Sequence, residues 1–295
     1  MGKSVSCYTE YTPEDLEFEK VIVDALMNFE ESIDVTKFVK EYGWSINELK
    51  SFSSVSWSNP ELFFVDTNSY RCSILKSEDG EILECKISDY KFEITKEEYS
   101  KCKVELDQAV AEAMKTVKGV SDPVEKVKRL HDYLIRVCEY DEQIADEDKA
   151  LTAVSMYSVL VRHKAICQGY ARAYHYLLCE AGIESEILIS YDMNHCWNYV
   201  KIGKNWYHVD VTYDDPVFDG KDPATSHISY CCFLLSDKAM RGIGHRWSVE
   251  GLPAACDQTY DFWDWGWPYN SKFDNEHWQK YILKYIRKKN KIKIS

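Results

Sequence analysis

One stretch constrains this chain more than any other: a short polar run, then Cys167, then a helix with a single apolar side. After Cys167, the residues Tyr170, Ala171, Tyr174, Leu177, Leu178 and Ala181 recur at three- and four-residue steps, which gathers them on one buried face of an amphipathic helix. Gly182 follows, the residue type that closes a helix in a left-handed turn. Cys167 therefore stands at the helix start. Unpaired N–H groups and the helix dipole favour a thiolate there, so this cysteine is expected to be acidic and reactive.

A cysteine nucleophile needs a base to take its proton and a third group to hold that base. Both are offered by two strand-like runs, His195-Cys196-Trp197-Asn198-Tyr199-Val200-Lys201-Ile202 and Asn205-Trp206-Tyr207-His208-Val209-Asp210-Val211, which face each other across Gly203-Lys204. If those two residues are the whole loop, Ile202 pairs with Asn205 and Trp197 lies opposite Asp210. His195 then emerges on the face of Asp210, at the diagonal position where longer side chains meet. A shift of one residue would turn His195 to the opposite face.

Composition limits the alternatives. Lys and Arg number 36 against 49 Asp and Glu, a net charge of −13 over 295 residues, which argues against nucleic acid as a partner. The 11 cysteines include no CxxC pair, so neither a zinc ribbon nor a thioredoxin-type redox motif is available. A Cys-His-Asp zinc site lacks a fourth ligand type, and no metal or other cofactor is expected. No signal peptide or transmembrane span is visible, which leaves the compartment open, and nothing addresses the oligomeric state.

Earlier in the chain, Thr12-Pro13-Glu14-Asp15 predicts a capped helix start, with Leu16, Val23, Leu26 and Phe29 as its apolar side. Residues 33–42 read as helical, and Leu62-Phe63-Phe64-Val65 as a strand after the Asn59-Pro60 break. Residues 70–75 and 82–87 flank Glu78-Asp79-Gly80 as a hairpin. A long helix is predicted over 96–117, ending at Gly119, and a second starts at Asp122-Pro123-Val124-Glu125. A boundary near 108 divides a helical and hairpin extension, 1–108, from a catalytic part, 109–295. The tail 277–295 carries seven basic residues and no acidic one and reads as a terminal helix docked by its apolar side.

Three blocks carry a family resemblance: Ala165-Ile166-Cys167-Gln168-Gly169-Tyr170-Ala171, then Asn194-His195-Cys196-Trp197-Asn198, then Trp206 to Pro216. In that order they resemble the signature blocks of the transglutaminase-like superfamily, and His131-Asp132-Tyr133-Leu134 resembles the helix before the core in bacterial members. The likeness covers roughly residues 122–250. It implies an α+β, papain-like fold in which a helix bearing the cysteine packs on an antiparallel sheet bearing His and Asp. It implies Cys167 as nucleophile, His195 as general base and then acid, and Asp210 as the orienting carboxylate. The expected activity is acyl transfer on protein or peptide amides through a thioester. A peptidase or amidase is preferred over a cross-linking or deamidating transglutaminase, and a non-catalytic binding module is the competing class. No acidic loop supports the calcium requirement of animal cross-linkers.

Other candidates carry alternatives. The backbone N–H of Cys167 is a natural oxyanion donor. Tyr157 either adds its hydroxyl there or is a core tyrosine, and Gln168 either helps or faces solvent. Trp197 and Trp206 either line an acyl-binding cleft or pack. His208 reads as structural, and histidines 131, 163, 175, 227, 245 and 277 have no matched partner. Trp263, Trp265 and Trp267 alternate as one face of a strand would present them, and either grip a peptide or glycan or, the preferred reading, pack at an edge.

Overall fold

A computed structural model describes residues 12–141, 154–215, 228–247 and 253–261. Among them no helix is long and apolar enough to cross a membrane.

The first helix, α1 (Pro13–Met27), begins as expected: Thr12 and Asp15 cap each other reciprocally, with Pro13 in the first turn. Its buried side is Phe18, Ile22, Ala25 and Leu26, whereas Leu16 is 47% exposed. The apolar stripe is therefore rotated from the one expected, because Phe18 packs edge-on against Phe38 and tilted against Trp44. The stretch expected to be helical from residue 33 opens instead as strand β1 (Ser32–Asp34), and helix α2 (Thr36–Lys40) follows. The Asp34 carboxylate accepts from the backbone N–H of Thr36 at 2.8 Å and so starts the helix late. Two short helices, α3 (Ile46–Leu49) and α4 (Val55–Ser58), precede a 3₁₀ turn at Pro60–Leu62, and only Val65–Asp66, β2, is extended. The expected strand at 62–65 is thus mostly turn, since proline sets the helical φ from which that turn starts.

The hairpin forms as β3 (Arg71–Lys76) and β4 (Ile82–Ser88), with Gly80 at φ +83° in its turn. β1 adds to the other side of β4, giving a sheet ordered β1-β4-β3, while the short β5 (Lys91–Phe92) pairs with β2. Helix α5 (Lys96–Lys115) carries a Thr95–Glu98 capping box and stops two residues before the expected Val117. Residue 108 lies inside this continuous helix. One apolar core, from Phe18 through Leu106 and Val127 to Leu234, joins both sides of it.

α6 (Pro123–Val137) is capped by Asp122 and ends where Glu139–Tyr140, β6, pairs in parallel with Lys164–Ala165, β7. Helix α7 (Cys167–Glu180) follows at once and ends as foreseen, with Gly182 at φ +77° and the Ile183 N–H donating to Leu178 O at 2.9 Å. The sheet behind it has the order β10-β9-β8, from β8 (Ser185–Ser190), β9 (His195–Ile202) and β10 (Asn205–Val209), all antiparallel. α7 packs on β9 and β8, and α6 lies against α7. Two short helices, α8 (Val211–Asp214) and α9 (Asp237–Gly242), complete the described chain. The result is an α+β protein in which the helix that begins at Cys167 packs on an antiparallel sheet. The basic tail, Trp263, Trp265, Trp267, His227 and His277 lie outside the described residues.

Candidate active site

Each part of the site is placed by a local rule. The β6–β7 pairing fixes the chain ahead of Cys167: the Asp141 N–H donates to Ala165 O at 2.8 Å and the Glu139 N–H to His163 O at 3.0 Å. His163 takes φ +62° to make the bend. Ile166 then occupies the N-cap in an extended conformation, with no side-chain hydrogen bond to the first turn. Leucine-like side chains cannot accept N–H groups, so the first-turn donors of α7 keep their capacity for an oxygen from outside.

The two-residue turn holds. Ile202 pairs with Asn205 and Tyr199 with His208, and the register runs to Asn198 opposite Val209. Gly203 adopts φ +61°, the left-handed backbone that a tight hairpin needs. One step beyond the ladder, Asp210 leaves the strand and caps α8, its Oδ1 accepting the Tyr213 N–H at 3.1 Å. The Asp210 N–H donates to Cys232 O at 2.9 Å, which anchors the backbone from a third segment. From the diagonal position His195 reaches it, with Nε2 2.7 Å from Asp210 Oδ2.

Alternation along β9 sends its residues to two sides. Cys196 packs with Cys167, Ala171 and Ile187, and Asn198 Nδ2 donates to Ala171 O at 2.9 Å, which locks the strand to α7. Trp197 and Tyr199 face the other way, towards His208. His195, at the strand's first residue, hydrogen-bonds Asp210 on one side and brings its ring close enough to the Cys167 sulfur on the other to lower the thiol. With Nε2 on the carboxylate, Nδ1 is the ring nitrogen left for the thiol.

Charges follow this arrangement. The hydrogen bond from Cys196 and then the His195 ring hold the Cys167 thiol well below its usual range, although the site is almost closed to water. Cys196 is driven the opposite way, well above, by its bond to Cys167 and by burial. Burial alone would lower His195, but the Asp210 carboxylate outweighs it and raises the ring to about 10. Burial would likewise raise Asp210, yet His195 and then His245 hold it well below the carboxylate range. A thiolate–imidazolium pair is the favoured state of such a site at neutral pH.

The remaining candidates sort by position. Trp197 backs the site: its ring lies 5.8 Å from His195, and its indole N–H donates to His208 Nδ1 at 3.0 Å. His208 passes the link on, with Nε2 2.8 Å from Asp237 Oδ1, and is structural as expected. Gln168 sits half-buried beside Cys167 in the first turn. Trp206 stacks on Tyr199 at 5.2 Å in a small cluster with Ala255, away from the cysteine's own cluster, so it packs rather than lining a cleft. Tyr157 is not brought to the cysteine either. Its hydroxyl donates to Glu105 on α5 and its ring stacks on Phe63, because the core of the first hundred residues reaches it first.

Sequence reasoning missed several neighbours. His245, with no partner in sequence, is fully buried on Asp210; Tyr213 stacks on His195 at 4.7 Å; Trp57, from α4, packs against the cluster of Cys167 and Cys196. Tyr213 lies in the same block as Asp210, three residues on, but nothing in that block showed its ring reaching His195; His245 and Trp57 come from segments that meet the site only through tertiary packing. His131 also has partners: it is buried between Asp132 and Asp214, at 3.1 and 3.2 Å. Asp214 is one turn beyond Asp210, and burial lifts it to about 6.

Donor atoms of His195, Asp210 and His245 lie within 4.8 Å of one another, a spacing that could hold a metal ion. Both rings, however, point a nitrogen at the same carboxylate oxygen, and these hydrogen bonds use the protons and lone pair that a metal would have to displace.

Residues 109–211 match the family model of the Transglutaminase-like superfamily. No curated protein matches the chain. Among solved structures, a TGase is similar at 15% identity and TM-score 0.35 over 55% of this chain and 48% of that one. A protein from Cytophaga hutchinsonii, provisionally described as a cysteine protease, is similar at 14% identity and TM-score 0.29, over 50% and 63%. The chain spans less than two thirds of either structure.

Proposed function

From the premise that residues 109–211 are a transglutaminase-like superfamily domain, we propose that this chain is a cysteine-dependent acyl-transfer enzyme acting on protein or peptide amides. The observation that carries the reading is the continuous Cys167–His195–Asp210 relay, with His195 Nε2 at 2.7 Å from the carboxylate and its ring on the thiol.

The Cys167 thiolate attacks the amide carbonyl, a C–S bond forms, and the carbonyl electron pair moves to oxygen. The N–H of Cys167, at a helix start without a side-chain cap, is the natural donor to that oxyanion. Collapse breaks the C–N bond, and His195 delivers its proton to the departing amine, leaving a thioester. His195, now neutral, takes a proton from the second acceptor. Water gives a carboxylic acid and a primary amine gives a new amide; in both cases the C–S bond breaks, the sulfur leaves as thiolate, and the thiolate–imidazolium pair is restored. Water is preferred, because it needs no separate amine subsite. The division at residue 108 is then one of function, with the first part a support that reaches the site through Trp57, since α5 itself crosses the boundary.

The test is mass spectrometry of a peptide library incubated with the protein and an excess primary amine. New termini at backbone bonds mean peptidase. Exchange of glutamine ammonia for the amine means transglutaminase, and conversion of glutamine to glutamate means deamidase. No product, together with Cys167 alkylating no faster than the other thiols, refutes the reading.

A further inference from the structure

His245 is the buried group whose geometry the mechanism above leaves unused. It lies just past α9, held by its backbone N–H to Met240 O at 3.1 Å, and is 0% exposed. Its Nε2 is 2.9 Å from Asp210 Oδ2, the same oxygen that His195 Nε2 reaches at 2.7 Å. Asp210 Oδ1 is taken from the opposite side by the Tyr213 N–H. The His245 ring stands edge-on to Trp197, at 5.0 Å and 81°, and to Tyr213, at 4.8 Å and 76°. Its Nδ1 has no hydrogen-bond partner among the described residues.

These contacts assign a tautomer. The charged groups facing the ring are Asp210, just past β10, and His195 on β9, with the Tyr213 and Trp197 rings packed against it and His208 adding a weaker repulsion. A second cation beside the His195 imidazolium is disfavoured by repulsion as well as by burial. Neutral His245 must then carry its proton on Nε2, facing the carboxylate, and leave the unpartnered Nδ1 as a bare lone pair. A lone pair without a partner is a smaller loss than a buried N–H without one.

We infer that His245 is a positioning residue: a neutral second imidazole that clamps the Asp210 carboxylate so that Oδ2 stays aimed at His195. This rests on the Cys167–His195–Asp210 reading. Without His245, Oδ2 is held only by His195, the very ring it has to aim, while the Tyr213 N–H holds Oδ1. A second donor on Oδ2 fixes that oxygen independently of His195, so the carboxylate does not turn about its Cβ–Cγ bond when the His195 ring moves. His245 reaches Asp210 across 35 residues of sequence, through the short loop after α9, so the clamp closes only when that segment docks on the sheet.

The test compares His245→Gln, whose amide keeps an N–H donor at similar reach, with His245→Leu, which fills the space without one. Three readouts are taken: kcat and KM on a peptide substrate, iodoacetamide alkylation of Cys167 across pH 5–9, and the low-field proton NMR signal of the His195 N–H on Asp210. His245→Leu is expected to lower kcat and the alkylation rate near pH 6 by about 10- to 100-fold with KM little changed, the scale of misplacing a catalytic group. It should also erase the low-field signal, and His245→Gln should restore most of all three. Wild-type behaviour in His245→Leu overturns the inference. So does His245→Gln as impaired as His245→Leu at unchanged thermal stability, because the role is then packing. A wild type without selective Cys167 alkylation defeats the catalytic reading instead, and the NMR comparison still decides whether His245 positions Asp210.

Discussion

Replacing Asp210 by Asn keeps the shape of the site and removes its charge. Asn still offers an oxygen to the Tyr213 N–H, so the α8 cap survives. On the other side its amide N–H₂ meets the ring nitrogens of His195 and His245, which forces both onto the other tautomer. His195 stands at about 10 against an ordinary value of 6.5, and Asp210 is the largest of the influences that raise it. That gap is worth on the order of 5 kcal/mol at ~1.4 kcal/mol per pH unit. Without the carboxylate, burial prevails and His195 falls below its ordinary value.

The thiolate–imidazolium pair then loses its cation, and Cys167 should rise towards the ordinary thiol range, restrained only by its hydrogen bond from Cys196. Second-order iodoacetamide kinetics with peptide mapping read this directly. In the wild type, Cys167 is depressed and His195 raised, so the pair is present above the first value and lost only as pH rises through about 10. The alkylation rate should therefore be nearly flat from pH 5 to 9. In Asp210→Asn it should rise with pH in that window and be slower near pH 6, by at most roughly 10²–10³-fold, the limit set by an ordinary thiol. Turnover should fall by about 10³–10⁴, the scale seen when a triad loses its orienting carboxylate. An Asp210→Asn protein with an intact near-UV spectrum and a wild-type rate at pH 6 would refute the argument that Asp210 sustains the ion pair.

Cys167→Ala should abolish turnover and selective labelling while costing only about 1 kcal/mol of stability, because it removes one sulfur from a tight cluster; urea unfolding checks this. Tyr157→Phe should leave kcat within about threefold, since a hydroxyl engaged with Glu105 contributes nothing to an oxyanion hole, whose donors are worth ~10²-fold or more. His131→Leu removes the imidazole from the fully buried Asp214, which keeps the Cys232 N–H, while Asp132 keeps Lys128 and Tyr230; it should cost about 3–5 kcal/mol, visible as a large fall in thermal midpoint. Gly203→Val should cost about 1–2 kcal/mol by forcing a β-branched residue to φ +61°. It should also lower activity further than that loss explains, because the turn sets the register carrying His195.

The sequence by itself determined the parts that rest on local rules. The α7 stripe and Gly182 bounded a helix and put Cys167 at its start. The Gly203-Lys204 pair set a two-residue turn, and side-chain alternation then brought His195 to Asp210 without knowledge of anything else. The capped starts at Thr12, Thr95 and Asp122 were legible for the same reason: a cap is an interaction over three residues. Where neighbours in space decided, the sequence misled. Leu16 had the right spacing for a core residue, but Phe38 and Trp44 drew the other side of α1 inward. Tyr157 stood ten residues before the cysteine and was claimed by α5. Only the tertiary structure placed His245 on the carboxylate and Trp57 and Cys196 beside the thiol. Those contacts join segments tens of residues apart, and no periodicity encodes them; they exist because the sheet, α7 and the loop after α9 bury the same few side chains in one place.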